Sequence, residues 1–255
     1  MKIIYTIWMW LVLGACTIFW GTLYLIFFAF DGRKFFYDQI SRFWARSIVF
    51  LSRAKIEVEG LEKIPAGPRV FMANHQSYFD AISLVVYLPP PVRFVAKKIL
   101  QYLPVFGQLL WITGQIIIDR SNPKQAFAEL DKAAEKIKQG ASVLVFPEGT
   151  RSPDHKLGQF KKGGFILTIK AGAPIVPISI SGTQSMMPKG KYSFKRPKLV
   201  KIKIGDLIAT KDFGAEQKQE LMYQVRRAMI SGFDPETEEA KANQGELESP
   251  GPKVA

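Results

Sequence analysis

Two short stretches of this chain carry the residue types that move protons and hold anions. In NHQSYFD, Asn74 to Asp80, a histidine precedes an aspartate by five positions, directly after the apolar run Val70–Ala73. If the residues between are helical, Asp80 falls about 140° round from His75. A dyad therefore needs His75 in the loop and Asp80 in the first helical turns, reaching back. The carboxylate then accepts a hydrogen bond from one ring nitrogen, fixes the tautomer, and leaves the other nitrogen as a base able to take a proton from an alcohol. In FPEGTRS, Phe146 to Ser152, Gly149 permits close backbone approach. Arg151 offers a planar donor fork matched to phosphate oxygens, and Thr150 lies between them. Glu148 either orients Arg151, accepts from a substrate hydroxyl, or pairs with Arg151 or a nearby lysine. Taken singly, His75 is an ordinary strand-end histidine and Asp80 an ordinary helix-start carboxylate. Taken together, the two stretches predict a base beside an anion site.

The elements that must position these residues are legible in the hydrophobic pattern. From residue 56 onward, seven short β-branched runs read as strands: IEVEG, RVFMANH, VRFVAKK, QIIIDR, SVLVFPEG, PIVPISIS and KLVKIKIGDLI. Helices are expected at 77–88, 99–112, 123–139, 160–171 and 216–231. The clearest is 123–139, with Asn122 as cap, Pro123 in the first turn and Gly140 as the stop. Such alternation predicts an α/β domain with a mostly parallel central sheet flanked by helices. Ligands of such sheets bind beyond the carboxyl ends of the strands, and both stretches lie at such ends.

Residues 3–30 contain no charged side chain, and as one helix would reach about 42 Å against a hydrocarbon core of about 30 Å. The run is too long for a signal peptide, and the Leu13–Cys16 resemblance to a lipoprotein box fails because the following residues stay apolar. We expect a retained anchor, either spanning with tilt or entering one leaflet and bending near Gly14 or Gly21. Arg33, Lys34, Arg42, Arg46 and Arg53 follow it, which for a spanning helix leaves the body on the cytoplasmic face, of the inner or plasma membrane if the chain is bacterial. Residues 37–54 read as an amphipathic helix, with Tyr37, Ile40, Trp44, Ile48 and Leu51 opposite Arg42, Arg46 and Arg53. It lies in the headgroup layer or docks on the core.

The expected organisation is thus an anchor and interfacial helix over 1–54, a catalytic domain over 55–231, and a disordered acidic tail over 232–255. The tail has six acidic against two basic side chains, so the body is more basic than the net +13 of the chain. A basic body attracts phosphates in lipid headgroups, nucleic acid or metabolites; the anchor selects the membrane, and no nucleic-acid partner is expected. Cys16, the only cysteine, lies in the apolar run and is a packing or lipid-facing residue. Two histidines and one cysteine give no metal cluster. His155 is expected to be a plain turn residue.

NHQSYFD and FPEGTRS resemble the His-x4-Asp and Phe-Pro-Glu-Gly-Thr-Arg blocks of the glycerolipid acyltransferases, in particular the branch that acylates 1-acylglycerol-3-phosphate. GQIIIDR (Gly114–Arg120) and IVPISI (Ile175–Ile180) are similar to two further blocks, so the resemblance covers roughly residues 56–210. It implies a glycerol-3-phosphate acyltransferase-like fold and direct acyl transfer from acyl-CoA or acyl carrier protein to the 2-hydroxyl of lysophosphatidate, with no cofactor. It implies that His75 and Asp80 are catalytic, and that Arg120, Glu148, Gly149, Thr150 and Arg151 hold the acceptor. Lys97 matches a basic position near the headgroup site, though Lys98 is its neighbour. Expected partners are membrane lipids including lysophosphatidate, and the acyl donor; the oligomeric state is not readable. Rival readings are the same transfer to another lyso-lipid or amino-lipid, an acyl-enzyme on Ser77 or Thr150, and a non-catalytic protein that binds anionic lipid. The acyl-enzyme reading lacks a Gly-x-Ser-x-Gly elbow.

Overall fold

The computed structural model describes residues 2–31, 35–119, 123–196, 199–214 and 216–248 of the 255. Seven strands form one sheet: β1 (Ile56–Glu59), β2 (Val70–Ala73), β3 (Val92–Lys97), β4 (Ile116–Ile118), β5 (Ser142–Val145), β6 (Ile175–Ser181) and β7 (Val200–Ile204), in the order β1-β7-β6-β2-β5-β3-β4. The five strands from β6 to β4 are parallel; β7 runs antiparallel to β6, and β1 is parallel to β7. Strands β2, β5 and β6 are buried at every position, as expected of central parallel strands covered on both faces. β7 alternates buried and more open positions, which lets its lysines reach water.

The period of two splits the strand side chains between two cores. Phe71, Ala73, Leu144, Val176 and Ile178 pack with helices α1 (Lys2–Asp31), α2 (Phe35–Ser52) and α3 (Tyr78–Tyr87). Val70, Met72, Val143, Val145 and Ile175 pack with α5 (Pro123–Lys138), α6 (Lys162–Ala171) and α7 (Lys218–Gly232). All seven expected strands are present, and the sheet is mixed but mostly parallel.

Two helical expectations are corrected. The stretch 99–112 is not one helix but a 3-10 turn, Lys98–Tyr102, followed by α4, Phe106–Ile112. Pro104 disfavours helical backbone at Leu103, and α4 folds back so closely that a Cβ on Gly107 would meet Gln101 O at 1.9 Å. Within the expected disordered tail, residues 238–248 form helix α8, Glu238–Glu248. Ala240 and Leu247 pack on the second core, and polar bonds fix the helix there: Asn243 Oδ1 accepts from Leu157 N at 2.8 Å, Glu239 Oε1 meets His155 Nδ1 at 3.0 Å, and Glu246 accepts from Arg226.

Helix α1 is unbroken through Gly14 and Gly21 and is long and apolar enough to cross a membrane. It is nevertheless clasped to the rest of the chain. Tyr5 Oη donates to Ser52 O at 2.9 Å, Trp8 Nε1 to Leu51 O at 3.1 Å, and Trp10 Nε1 to Tyr192 O at 3.0 Å. Trp20 Nε1 bonds Ser47 Oγ, Trp44 Nε1 bonds Thr17 Oγ1, and Gly21 packs under Val105 and Leu109 ahead of and within α4. Met9, Val12 and Cys16 face the core, which gives Cys16 its packing role. The other side exposes Ile3, Ile4, Ile7, Leu11, Ile18 and Phe19. On α2, the expected apolar face meets the core through Ile40, Trp44, Ile48 and Leu51, joined by Ala45, while Phe36, Phe43 and Phe50 point outward.

Candidate active site

The carboxyl ends of β2, β5, β3 and β4 lie side by side along one edge of the sheet. Past the end of β2, Asn74 joins that strand to β6: its Oδ1 accepts from Ile180 N at 2.7 Å and its Nδ2 donates to Ile180 O at 2.8 Å. The chain then turns into α3 through a capping box in which Ser77 is the N-cap and Asp80 the reciprocal N3 residue. One oxygen of Asp80, Oδ2, accepts from Gln76 N at 2.7 Å and Ser77 N at 2.8 Å, and lies 2.8 Å from His75 Nδ1. The histidine–aspartate spacing is thus a helix start whose capping carboxylate also holds the imidazole. Because Asp80 in its ionised form can only accept, Nδ1 carries the proton and the Nε2 lone pair is left for other work. Asp80 is fully buried while the His75 side chain keeps some exposure, and its ring stacks on Phe146 at 4.1 Å.

Glu148 does not form the expected ion pair with Arg151 or a lysine among the described residues. Its Oε1 accepts from His75 N at 2.7 Å and its Oε2 from Gly158 N at 2.8 Å, and it is 3% exposed. It bolts the base-bearing loop to the 152–158 loop. Burial pushes its pKa from 4.5 up to about 7, against the two backbone N–H groups that favour the anion. A Cβ on Gly158 would stand 2.5 Å from Oε2, so only glycine admits this contact. Ser152 N closes the junction by donating to His75 O at 2.7 Å.

Gly149 turns the backbone with φ +71°, and Thr150 is exposed. Arg151 comes back toward α3, with its guanidinium carbon 3.9 Å from the centroid of the Tyr78 ring. Lys97 ends β3, exposed and without an ion pair among the described residues, whereas Lys98 is tied to Asp119 at 2.9 Å. That division favours Lys97 over its neighbour as an available cation. Arg120 lies outside the described residues; β4, which leads to it, is three strand steps from β2, roughly 14 Å. His155 keeps to its turn and bonds Glu239 on α8. Ser77 Oγ is buried and accepts from Phe79 N in the cap, which removes it from nucleophilic work.

Sequence reasoning left Tyr78 and Phe146 without roles and did not single out Gly158. Their partners are the side chains of Arg151, His75 and Glu148, 10 or more residues away, so no local pattern marks them.

Residues 55–181 match the Acyltransferase family. The 1-acyl-sn-glycerol-3-phosphate acyltransferase of Pseudomonas aeruginosa is 35% identical over 221 residues, 85% of this chain and 85% of that protein. That of Escherichia coli is 34% identical over 180 residues, 69% of this chain and 72% of its own. A chloroplastic 1-acyl-sn-glycerol-3-phosphate acyltransferase of Brassica napus is 39% identical over 160 residues, 62% of this chain but 46% of its own, so the chain spans about half the length of such plant relatives. The crystal structure of the 1-acyl-sn-glycerophosphate acyltransferase PlsC from Thermotoga maritima superposes with a TM-score of 0.78 at 26% identity, covering 99% of this chain and 98% of that one. The dyad on its capped turn, the matched domain and the span shared with the bacterial proteins establish that the chain belongs to the 1-acyl-sn-glycerol-3-phosphate acyltransferase family.

Proposed function

We propose that the protein transfers a fatty acyl group from acyl-CoA or acyl carrier protein to the 2-hydroxyl of 1-acyl-glycerol-3-phosphate, forming phosphatidic acid. The observation that carries this reading is the 2.8 Å contact between His75 Nδ1 and Asp80 Oδ2, with Nε2 unengaged among the described residues and Arg151 laid against Tyr78 of the same turn. Nε2 takes the hydroxyl proton as the oxygen attacks the thioester carbonyl. Asp80, buried and anionic, stabilises the imidazolium that forms. Collapse of the tetrahedral intermediate expels the thiolate, which takes the proton back from Nε2–H, and the base ends as it began. Arg151 and Lys97, with Arg120, hold the acceptor's phosphate and turn an encounter of two molecules into a positioned reaction. Gly149 and Thr150 shape the loop that presents Arg151. Glu148 acts beneath it through His75 and Gly158. The two hydroxyl side chains weighed as acyl carriers are disfavoured, Ser77 by its burial in the cap and Thr150 by the missing elbow.

Membrane association rests on α1. Its contacts with the catalytic domain run from Thr6, whose hydroxyl bonds the backbone of Phe194, to Gly21, a length of about 22 Å. A helix crossing both leaflets would carry these domain contacts into hydrocarbon, so they support entry into one leaflet with the apolar side of α1 downward. The supply of acyl thioesters supports a cytoplasmic placement.

The test is transfer of labelled acyl-CoA to lysophosphatidate by the purified chain and by His75→Ala, with a panel of other lyso-lipid acceptors alongside. Loss of about 10²- to 10⁴-fold is expected in the variant with vesicle binding retained. Transfer that survives the substitution overturns the mechanism, and a preference for another acceptor overturns the substrate.

A further inference from the structure

Tyr78 opens α3 and is 54% exposed, and neither the dyad nor the family blocks give it a task. Its ring carries the Arg151 guanidinium at 3.9 Å. Among the described residues, Arg151 makes one hydrogen bond, a long 3.5 Å one from Nη1 to Met187 O, and no carboxylate pairs with it. The difference between these partners matters. A carboxylate would occupy the in-plane N–H edge that a phosphate needs, whereas an aromatic ring holds the cation by its face and leaves that edge open for bidentate binding.

The ring also belongs to the turn that carries the base. Tyr78 stands between the N-cap Ser77 and Asp80, and that turn is closed by the bonds from Gln76 N, Ser77 N and His75 Nδ1 to one carboxylate oxygen. Arg151 reaches the site from a different loop, after β5. Contact with Tyr78 registers it against His75 instead of leaving a long side chain to find its own rotamer.

We propose that Tyr78 is a positioning residue whose ring holds the Arg151 guanidinium by its face and keeps the N–H edge open to bind the acceptor's phosphate. The inference rests on the phosphate-binding reading of Arg151. The ring does the work, and the hydroxyl is not required.

The test is steady-state kinetics of the full-length chain in detergent, with KM for lysophosphatidate, KM for acyl-CoA and kcat measured separately. Tyr78→Leu and Tyr78→Gln each raise KM for lysophosphatidate about tenfold, with kcat and KM for acyl-CoA within about twofold of wild type. Tyr78→Phe restores KM to within about twofold of wild type. In an Arg151→Ala background, Tyr78→Leu adds nothing further. An unchanged KM in both non-aromatic variants, equal damage from Tyr78→Phe, or a full additional effect in the double variant overturns the proposal. If Arg151→Ala itself leaves KM for lysophosphatidate unaltered, the phosphate reading fails and Tyr78 falls with it. If Arg151→Ala raises KM and the non-aromatic Tyr78 variants do not, Tyr78 alone fails. Thermal denaturation of each variant separates these results from misfolding.

Discussion

Glu148 makes protein stability depend on pH in a direction that a surface carboxylate would not. Its pKa is about 7 in the folded protein and 4.5 at its ordinary value, so the folded state holds the proton more tightly than the unfolded chain. Stability from this group is complete below about pH 4.5 and is lost as pH rises through about 7, a total of about 3 kcal/mol. Between pH 5 and pH 8 the loss is about 2–3 kcal/mol. Glu148→Gln isolates that contribution. The amide cannot ionise, and it turns one acceptor into a donor facing the backbone N–H of His75 or Gly158, at a cost of about 1–3 kcal/mol. The wild type is therefore the more stable protein at pH 5, and the gap closes or inverts by pH 8. Urea unfolding of both proteins in detergent, followed by tryptophan fluorescence at steps across that range, reads the difference directly, and other titrating groups cancel between them. A gap that stays constant with pH refutes the raised pKa, and a gap that widens reverses its sign.

Asp80→Asn keeps the side-chain shape but sets an amide against Gln76 N, Ser77 N and His75 Nδ1, so kcat for acyl transfer falls about 10²- to 10⁴-fold while KM for lysophosphatidate changes little, as initial rates over a range of acceptor will show. Asn74→Ala leaves the buried Ile180 N–H and C=O unpaired, and chemical denaturation should record a loss of about 1–3 kcal/mol. Replacing Ile7, Leu11 and Ile18 together by serine removes exposed apolar surface from α1 without touching its packed face, and co-sedimentation with anionic vesicles should drop while melting temperature holds.

The sheet is readable because its strands are compact apolar runs, and the fully buried ones, β2, β5 and β6, carry no polar side chain larger than serine to blur the signal. The dyad was readable for a related reason: a histidine and aspartate five apart report on a single capped turn, so their meeting is a local event. Glu148 was misread because its partners are two backbone N–H groups from loops 73 and 10 residues away, and an acidic side chain beside an arginine looks like its ion pair until both are placed. The break in 99–112 was visible in Pro104 and was outweighed by the apolar pattern on either side. Helix α8 was invisible because what fixes it is polar and specific: Asn243 on Leu157 N, and Glu246 on an arginine that also donates to Leu157 O and Gly158 O.

The clasp along α1 has a consequence for how substrate is reached. Five indole or phenol hydrogen bonds tie this helix to α2 and the 192 loop. On the membrane reading, the imidazole therefore rides at one fixed altitude over the lipid surface. A lysolipid cannot be fished from deep in the leaflet by a swinging domain; it must climb until its glycerol draws level, and its own buoyancy becomes part of the barrier.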